Sequence, residues 1–219
     1  MAWSLLLGAA RRLGEGHDLV RSGAFRGWHP DMLLGGAVHG QTLGIVGMGR
    51  IGGAVARRAV GFGMEILYHG RTPQPDRDRE LGTRWVPLEE LLDRADFVSV
   101  HLPLNSETEG LIGPEALRRM KPTAYLINTA RGEVVDEDAL LEALAKGWIA
   151  GAGLDVFAHE MEGIDPRWFK APNVLLTPHL GSATVQTRTA MARLAAEGLR
   201  GVLRGERPTN VVNPEVLDL

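Results

Sequence analysis

Gly47, Gly49 and Gly52 stand in the run LGIVGMGRIG (43–52) at the G-x-G-x-x-G spacing. The first permits a tight turn, the second lets a pyrophosphate approach the backbone, and the third lets a helix pack closely on a strand. A short apolar strand leads into this turn and a helix over about 50–61 leaves it. That helix aims its unpaired N–H groups and the positive end of its dipole at a phosphate. The chemistry supported is dinucleotide binding. Glycines also cluster by chance in a chain with 28 of them; the order strand, turn, helix gives the spacing its weight. A second set is dispersed in sequence but alike in position. Gly47, Arg71, His101, Arg131, Asp155 and His179 each fall just past the end of an apolar segment. Open parallel sheets bind ligands beyond the carboxyl ends of their strands, so these residues converge on one edge.

Such convergence requires strands that all run the same way. The chain alternates apolar strands with helical stretches, which predicts a Rossmann-type α/β fold, a doubly wound parallel sheet with helices on both faces. A helix is expected over 3–13, followed by a long Gly-rich connection (14–40) that contains Trp28 and Pro30. Strands are expected near 43–46, 65–69 and 83–86, within 96–104 and 124–132, and over 152–157 and 173–179. Further helices are expected at 88–94 and 136–146, and Gly63 is a plausible stop for the helix after the glycine turn. A long helix over about 182–204 precedes a Pro-containing tail. On this pattern the chain divides into a dinucleotide-binding domain, 1–182, and a C-terminal helix and tail, 183–219.

A length of 219 residues suffices for one substantial core. Hydrophobic content of 44% and charged content of 23% are ordinary for a soluble globular protein. A formal net charge of −3 gives no sign of nucleic acid or an anionic membrane surface as a partner. The absence of cysteine removes disulfides, thiolate catalysis and cysteine-ligated metal. The apolar run Leu5–Ala10 is followed, not preceded, by Arg11 and Arg12. That order does not suit a signal peptide, and the run is far short of the roughly 20 apolar residues of a membrane span. A cytoplasmic location is the expectation.

A site that prefers NAD places Asp or Glu about 20 residues after the glycine turn, to accept from the ribose 2′-hydroxyl. The segment EILYHGRTPQP (65–75) has no acid at that point; Gly70 takes the place, and Arg71 and Thr72 follow. A guanidinium beside a hydroxyl suits a 2′-phosphate, which it binds through two parallel hydrogen bonds. NADP(H) is therefore expected over NAD(H). The plainer alternative is Arg71 as a solvated loop residue.

Four segments, HLPLNSETEGLI (101–112), INTARGEVVDEDAL (127–140), AGLDVF-x-x-E (152–160) and TPHLGSAT (177–184), resemble the D-2-hydroxyacid dehydrogenases, and among them the glyoxylate/hydroxypyruvate reductases. The resemblance runs from about residue 3 to the C-terminus. It implies reduction of a small 2-keto acid, such as glyoxylate or hydroxypyruvate, to the 2-hydroxy acid. Arg131 matches the arginine that holds the substrate carboxylate and keto oxygen. His179 matches the general acid/base, a task suited to a side chain that titrates near working pH. Glu160 matches the carboxylate that pairs with this histidine, although Met161 follows it where the family usually has Pro.

His101 and Asp155 match positions at the nicotinamide end of the cofactor; either one alone fits a packing role equally well. Thr129 and Ala130 are expected beside the same ring through their backbone. Arg50, Ile51, Pro103, Thr108 and Gly181 complete the cofactor-binding positions that the resemblance implies. No metal is expected, since HEMEG (159–163) is not H-E-x-x-H and no second helical histidine follows at the right spacing.

Trp28, in SGAFRGWHP (22–30), stands where the reductases carry a tryptophan on a dimer-spanning loop that reaches the neighbouring active site. A homodimer also accounts for a connection as long as 14–40. Family members usually have a further N-terminal segment, most of the substrate domain, before the helix with which this chain begins. The expectation is a chain that binds NADPH with little or no turnover, and whose Val211, Val212, Val216 and Leu217 are exposed or differently packed. The alternative is a non-catalytic dinucleotide-sensing protein resembling the C-terminal-binding-protein co-repressors, which share the fold and act through partners.

Overall fold

Seven strands form one sheet: β1 (Thr42–Val46), β2 (Glu65–His69), β3 (Thr83–Trp85), β4 (Phe97–Val100), β5 (Tyr125–Asn128), β6 (Gly151–Leu154) and β7 (Val174–Leu176). They come from a computed structural model that describes residues 1–208 and 211–218. Their order is β3-β2-β1-β4-β5-β6-β7, and every adjacent pair is parallel. The chain winds outward from β1 to β3, then crosses to β4 and winds the other way. The reversal opens a crevice between β1 and β4, where such sheets bind ligands.

The strands are almost continuously apolar because both faces are covered. Successive side chains alternate between two cores. Leu43, Ile45, Ile66, Tyr68, Phe97, Tyr125 and Ile127 pack on one face with α1 (Ala2–Ala10) and α3 (Arg50–Ala59). Val46, Leu67, Val98, Val100, Leu126 and Leu154 pack on the other with α5 (Leu88–Arg94), α6 (Pro114–Arg119) and α7 (Glu137–Lys146). This is the expected doubly wound architecture.

Three helices depart from the sequence reading. The 14–40 connection is not irregular throughout, because α2 (Leu13–Arg21) occupies its start. Gly14 and Gly16 lie inside α2, and glycine in a helix interior costs about 1 kcal/mol relative to alanine, which hides the helix from a propensity reading. Arg12, at φ +52°, breaks α2 from α1, and its guanidinium grips Glu15 through two hydrogen bonds of 2.6 Å. α2 buries none of its residues, and Trp28 beyond it is 78% exposed. The other two are α4 (Pro75–Leu81) and α6, each begun by a proline at its first position, where the missing N–H costs nothing. Gly63 ends the turn after α3 at φ +60°, as expected.

The chain divides into two compact units, Met1–His179 and Leu180–Leu219. Within the second, α8 (Val185–Leu203) starts behind a cap in which Thr184 Oγ1 accepts from the Thr187 N–H at 3.1 Å. Val212 and Val216 are exposed; the Leu217 side chain lies outside the described residues. Among the described residues no helix is long and apolar enough to cross a membrane.

Candidate active site

The glycine turn is fastened to the end of β2, where the Gly47 N–H donates to the His69 carbonyl at 2.9 Å. Gly47 sits at φ +102°, in the region closed to most side chains, and a Cβ there would stand 2.8 Å from the His101 carbonyl oxygen. A Cβ on Gly52 would collide with the Gly47 carbonyl. Gly49 differs: a Cβ there meets nothing within 4 Å. Gly49 is the N-cap of α3 and caps it with no side chain, so the first N–H groups of the helix are left for a ligand. A cleft of about 770 Å³ opens here, walled by Gly49, Arg50 and Ile51 on one side. His101, Leu102 and Pro103 wall another side, and Thr129, Ala130 and Arg131 a third. The open face above Gly49, at a turn that leaves N–H groups free, fits a dinucleotide pyrophosphate.

Gly70, Arg71 and Thr72 follow β2 directly. The Gly70 carbonyl accepts from Trp85 Nε1 at 2.9 Å, and the site of its missing Cβ lies 4.0 Å from Met48 N, so the end of β2 abuts the turn. Arg71 and Thr72 are exposed. Thr108 lies outside the cleft wall and holds the 103–108 loop together, its hydroxyl donating to the Pro103 carbonyl at 2.6 Å. His101 lies in the wall with Nδ1 enclosed and without a partner among the described residues; Nε2 meets Ser99 Oγ at 2.9 Å. Burial pushes its pKa down to about 4, which makes it a neutral imidazole at neutral pH.

The NTARG turn is shaped by the buried Asn128. Its Nδ2 donates to the Arg131 carbonyl at 2.8 Å, and its Oδ1 accepts from the Ala130 N–H at 3.0 Å. The exposed Arg131 guanidinium donates to the Ala130 carbonyl at 2.6 Å and has no carboxylate partner among the described residues. It is a cation at the cleft wall, available to an anion.

Glu160 and His179 meet, with His179 Nδ1 2.6 Å from Glu160 Oε1. Both stand at left-handed kinks. His179 itself is at φ +52°, and His159, next to Glu160, is at φ +56°. Such a conformation costs about 1–2 kcal/mol for a residue with a Cβ, so the surroundings must hold it. Asp155 does part of that work. Its carbonyl accepts from the His179 N–H at 2.9 Å, and its buried carboxylate accepts from Thr177 Oγ1 at 2.5 Å. The ring presents Nε2, which has no partner among the described residues, on a half-exposed side chain.

Two further expected positions are exposed. Trp28 belongs to the exposed connection after α2, and Gly181 to an exposed turn that opens the second unit. Among the described residues no group of three His, Asp or Glu side chains could hold a metal ion. Sequence reasoning missed Glu137, whose Oε1 accepts from the Ala158 N–H at 2.8 Å and steadies the loop that carries Glu160. The chain thus offers an open helix N-terminus, a guanidinium without a carboxylate partner among the described residues and an imidazole paired with a carboxylate, groups suited to anion binding and to the transfer of one proton.

Known proteins agree with this geometry. Residues 3–181 match the D-isomer specific 2-hydroxyacid dehydrogenase, NAD binding domain. A glyoxylate reductase of Korarchaeum cryptofilum is 56% identical over 217 residues, a match covering 99% of this chain and 65% of that protein. The crystal structure of the TT0316 protein from Thermus thermophilus superposes with a TM-score of 0.90 at 49% identity, covering 96% of this chain and 66% of that one. A glyoxylate reductase from Paecilomyes thermophila gives a TM-score of 0.84 at 40% identity, covering 94% and 61%. The chain thus spans about two thirds of the length of these relatives, and the cofactor class is a nicotinamide dinucleotide. It belongs to the D-isomer specific 2-hydroxyacid dehydrogenases, of which residues 3–181 are the NAD-binding domain.

Proposed function

We propose that this chain serves the NADPH-dependent reduction of a small 2-keto acid, glyoxylate or hydroxypyruvate, to the 2-hydroxy acid. The observation that carries the proposal is the 2.6 Å pair of His179 Nδ1 and Glu160 Oε1, which leaves Nε2 free to act. Similarity to glyoxylate reductases supports the substrate class. Gly70, Arg71 and Thr72, in place of an acid after β2, support NADPH over NADH, with Arg71 taking the 2′-phosphate.

The glycine turn would hold a reduced nicotinamide dinucleotide, whose chemistry would be to supply hydride for the carbonyl carbon. His179 Nε2 donates the proton that the carbonyl oxygen needs as its negative charge develops. Glu160 holds Nδ1, which fixes the ring and leaves Nε2 as the nitrogen that exchanges the proton. Arg131 binds the substrate carboxylate and polarises the keto oxygen. Asp155 keeps the His179 backbone in place, while His101, Thr129 and Ala130 border the nicotinamide end. Pro103 and Thr108 shape the neighbouring loop, and Gly181 is counted among the cofactor-binding positions. Oxidation of the hydroxy acid runs through the same groups in reverse.

The reading includes a cytoplasmic homodimer, in which the exposed α2 segment meets a second copy and Trp28 reaches that copy's site. It also includes NADPH binding with little or no turnover by the 219 residues alone, since they span 65% of the length of the archaeal relative. Titration of the chain with NADPH and NADH, followed by nicotinamide fluorescence, tests the cofactor; a preference for NADH overturns it. Brisk NADPH oxidation with glyoxylate or hydroxypyruvate by the same sample overturns the low turnover.

A further inference from the structure

The residues after β2 reach back to the glycine turn. From α4, Arg77 Nη1 donates to the Met48 carbonyl at 2.5 Å and to the Gly49 carbonyl at 2.9 Å. Gln74 Nε2 donates to the same Met48 carbonyl at 3.0 Å. These carbonyls belong to the peptide units whose N–H groups are those of Gly49 and Arg50. Every described peptide bond is trans, and a trans unit points its N–H opposite to its C=O. Arg77 and Gln74 hold the Met48 carbonyl, and Arg77 shares the Gly49 carbonyl with the Gly53 N–H, which donates to it at 2.9 Å; both N–H groups thereby turn away from Arg77, which leaves them to an anion at the N-terminus of α3. The guanidinium also adds a full positive charge beside the positive end of that helix.

Three details mark the contact as built. Gly53 makes room for it, since a Cβ there would stand 2.6 Å from Arg77 Nη1. Arg77 is half-buried and has no ion pair among the described residues, so its charge is not spent on a carboxylate. The segment that carries it is fastened at both ends: the Gln74 N–H donates to Tyr68 Oη at 2.6 Å, and Thr83 Oγ1 donates to Asp78 Oδ1 at 2.7 Å.

We propose that Arg77, helped by Gln74, is a positioning residue that presets the phosphate-binding turn for the dinucleotide pyrophosphate, and that Gly53 is the small residue that admits it. The proposal rests on the reading of residues 43–52 as a dinucleotide site and is independent of the 2′-phosphate role given to Arg71. The two assignments separate in experiment, because the pyrophosphate is common to both cofactors and the 2′-phosphate is not.

The chain and its Arg77→Met, Gly53→Ala and Arg71→Ala variants are titrated with NADPH and with NADH, and each apo protein is melted. Arg77→Met and Gly53→Ala each raise Kd about tenfold for both cofactors by a common factor, the usual cost of losing a charge-assisted hydrogen bond. Gly53→Ala does so with an unchanged or higher Tm, because alanine favours a helix over glycine; this separates positioning from folding. Arg77→Lys, which keeps the charge and can offer one nitrogen to both carbonyls as Nη1 does, recovers part of the affinity. Unchanged affinity in both Arg77→Met and Gly53→Ala overturns the proposal. A loss confined to NADPH also overturns it, since Arg77 would then bind the 2′-phosphate directly. An NADH preference in the unsubstituted chain, or a silent Arg71→Ala, defeats the NADPH reading and leaves the proposal for Arg77 standing.

Discussion

Glu137, at the start of α7, holds the backbone N–H of Ala158 at 2.8 Å, two residues before the carboxylate that meets His179. The same segment is gripped from its other side. Gly132, directly after Arg131, packs so closely that a Cβ on it would overlap the Phe157–Ala158 peptide. The loop that bears the guanidinium and the loop that bears the carboxylate are thus locked to one another through backbone.

Gly132→Ala tests that lock. Gly132 is buried, and the atoms its Cβ would meet are backbone, which cannot rotate aside. One of the two loops must move, at a cost of about 1–3 kcal/mol, typical of overpacking a well-filled site. An unfolding free energy in urea lowered by that amount, with a correspondingly lower midpoint, is expected. A midpoint within error of the parent would show that the two loops are not in contact.

His101 gives the pH dependence. Its pKa is about 4 in the folded chain against about 6.5 for an unburied histidine. Between those values the unfolded chain binds a proton that the folded chain refuses, so stability rises with pH through this window. The contribution is fully present above about pH 6.5 and lost as pH falls to about 4, with a total of about 3 kcal/mol. His101→Asn removes the titration. The stability gap between parent and variant is expected to shift in the variant's favour by up to that amount from pH 7 to pH 4.5. Parallel pH profiles would contradict it. At neutral pH the imidazole carries no charge, so the wall it forms neither attracts nor repels the cofactor phosphates.

Much of the architecture was legible because it is written in local pattern. The alternation of Leu43, Ile45 and Val46 between two cores, and the apolar runs of β4 and β5, follow from strand geometry. The glycine turn is legible because Gly47 and Gly52 answer steric demands that a Cβ would violate, while Gly49 leaves an open face. α2 was hidden by Gly14 and Gly16, and what marks it is a pair, Arg12 with Glu15, rather than a propensity. α4 and α6 did announce themselves through Pro75 and Pro114, yet each is a short helix in a polar stretch that reads equally well as loop. The supporting contacts were beyond reach. Arg77 and Glu137 act on backbone groups, and every residue carries the same carbonyl and N–H, so the partner leaves no trace in sequence. Asn128 sits inside a motif that was read, but its task is to shape the NTARG turn rather than to touch a ligand.

Thr177→Val probes the support beneath His179. Asp155 is 1% exposed, and its carboxylate takes a 2.5 Å hydrogen bond from Thr177 Oγ1 while its carbonyl takes the His179 N–H. Valine keeps the shape and β-branching of threonine but removes the donor. A buried carboxylate that loses a hydrogen bond costs about 1–3 kcal/mol, more than a neutral acceptor would. Stability is therefore expected to fall by that amount, whereas a surface threonine would change it by less than about 0.5 kcal/mol. The left-handed backbone at His179 has less to hold it, so its amide should exchange faster with solvent in the variant. Thr177→Ser, which keeps the hydroxyl, is expected to retain most of both properties. Equal stability of the valine and serine variants would mean that the hydroxyl adds nothing beyond shape, and that the His179 kink is held through backbone carbonyls.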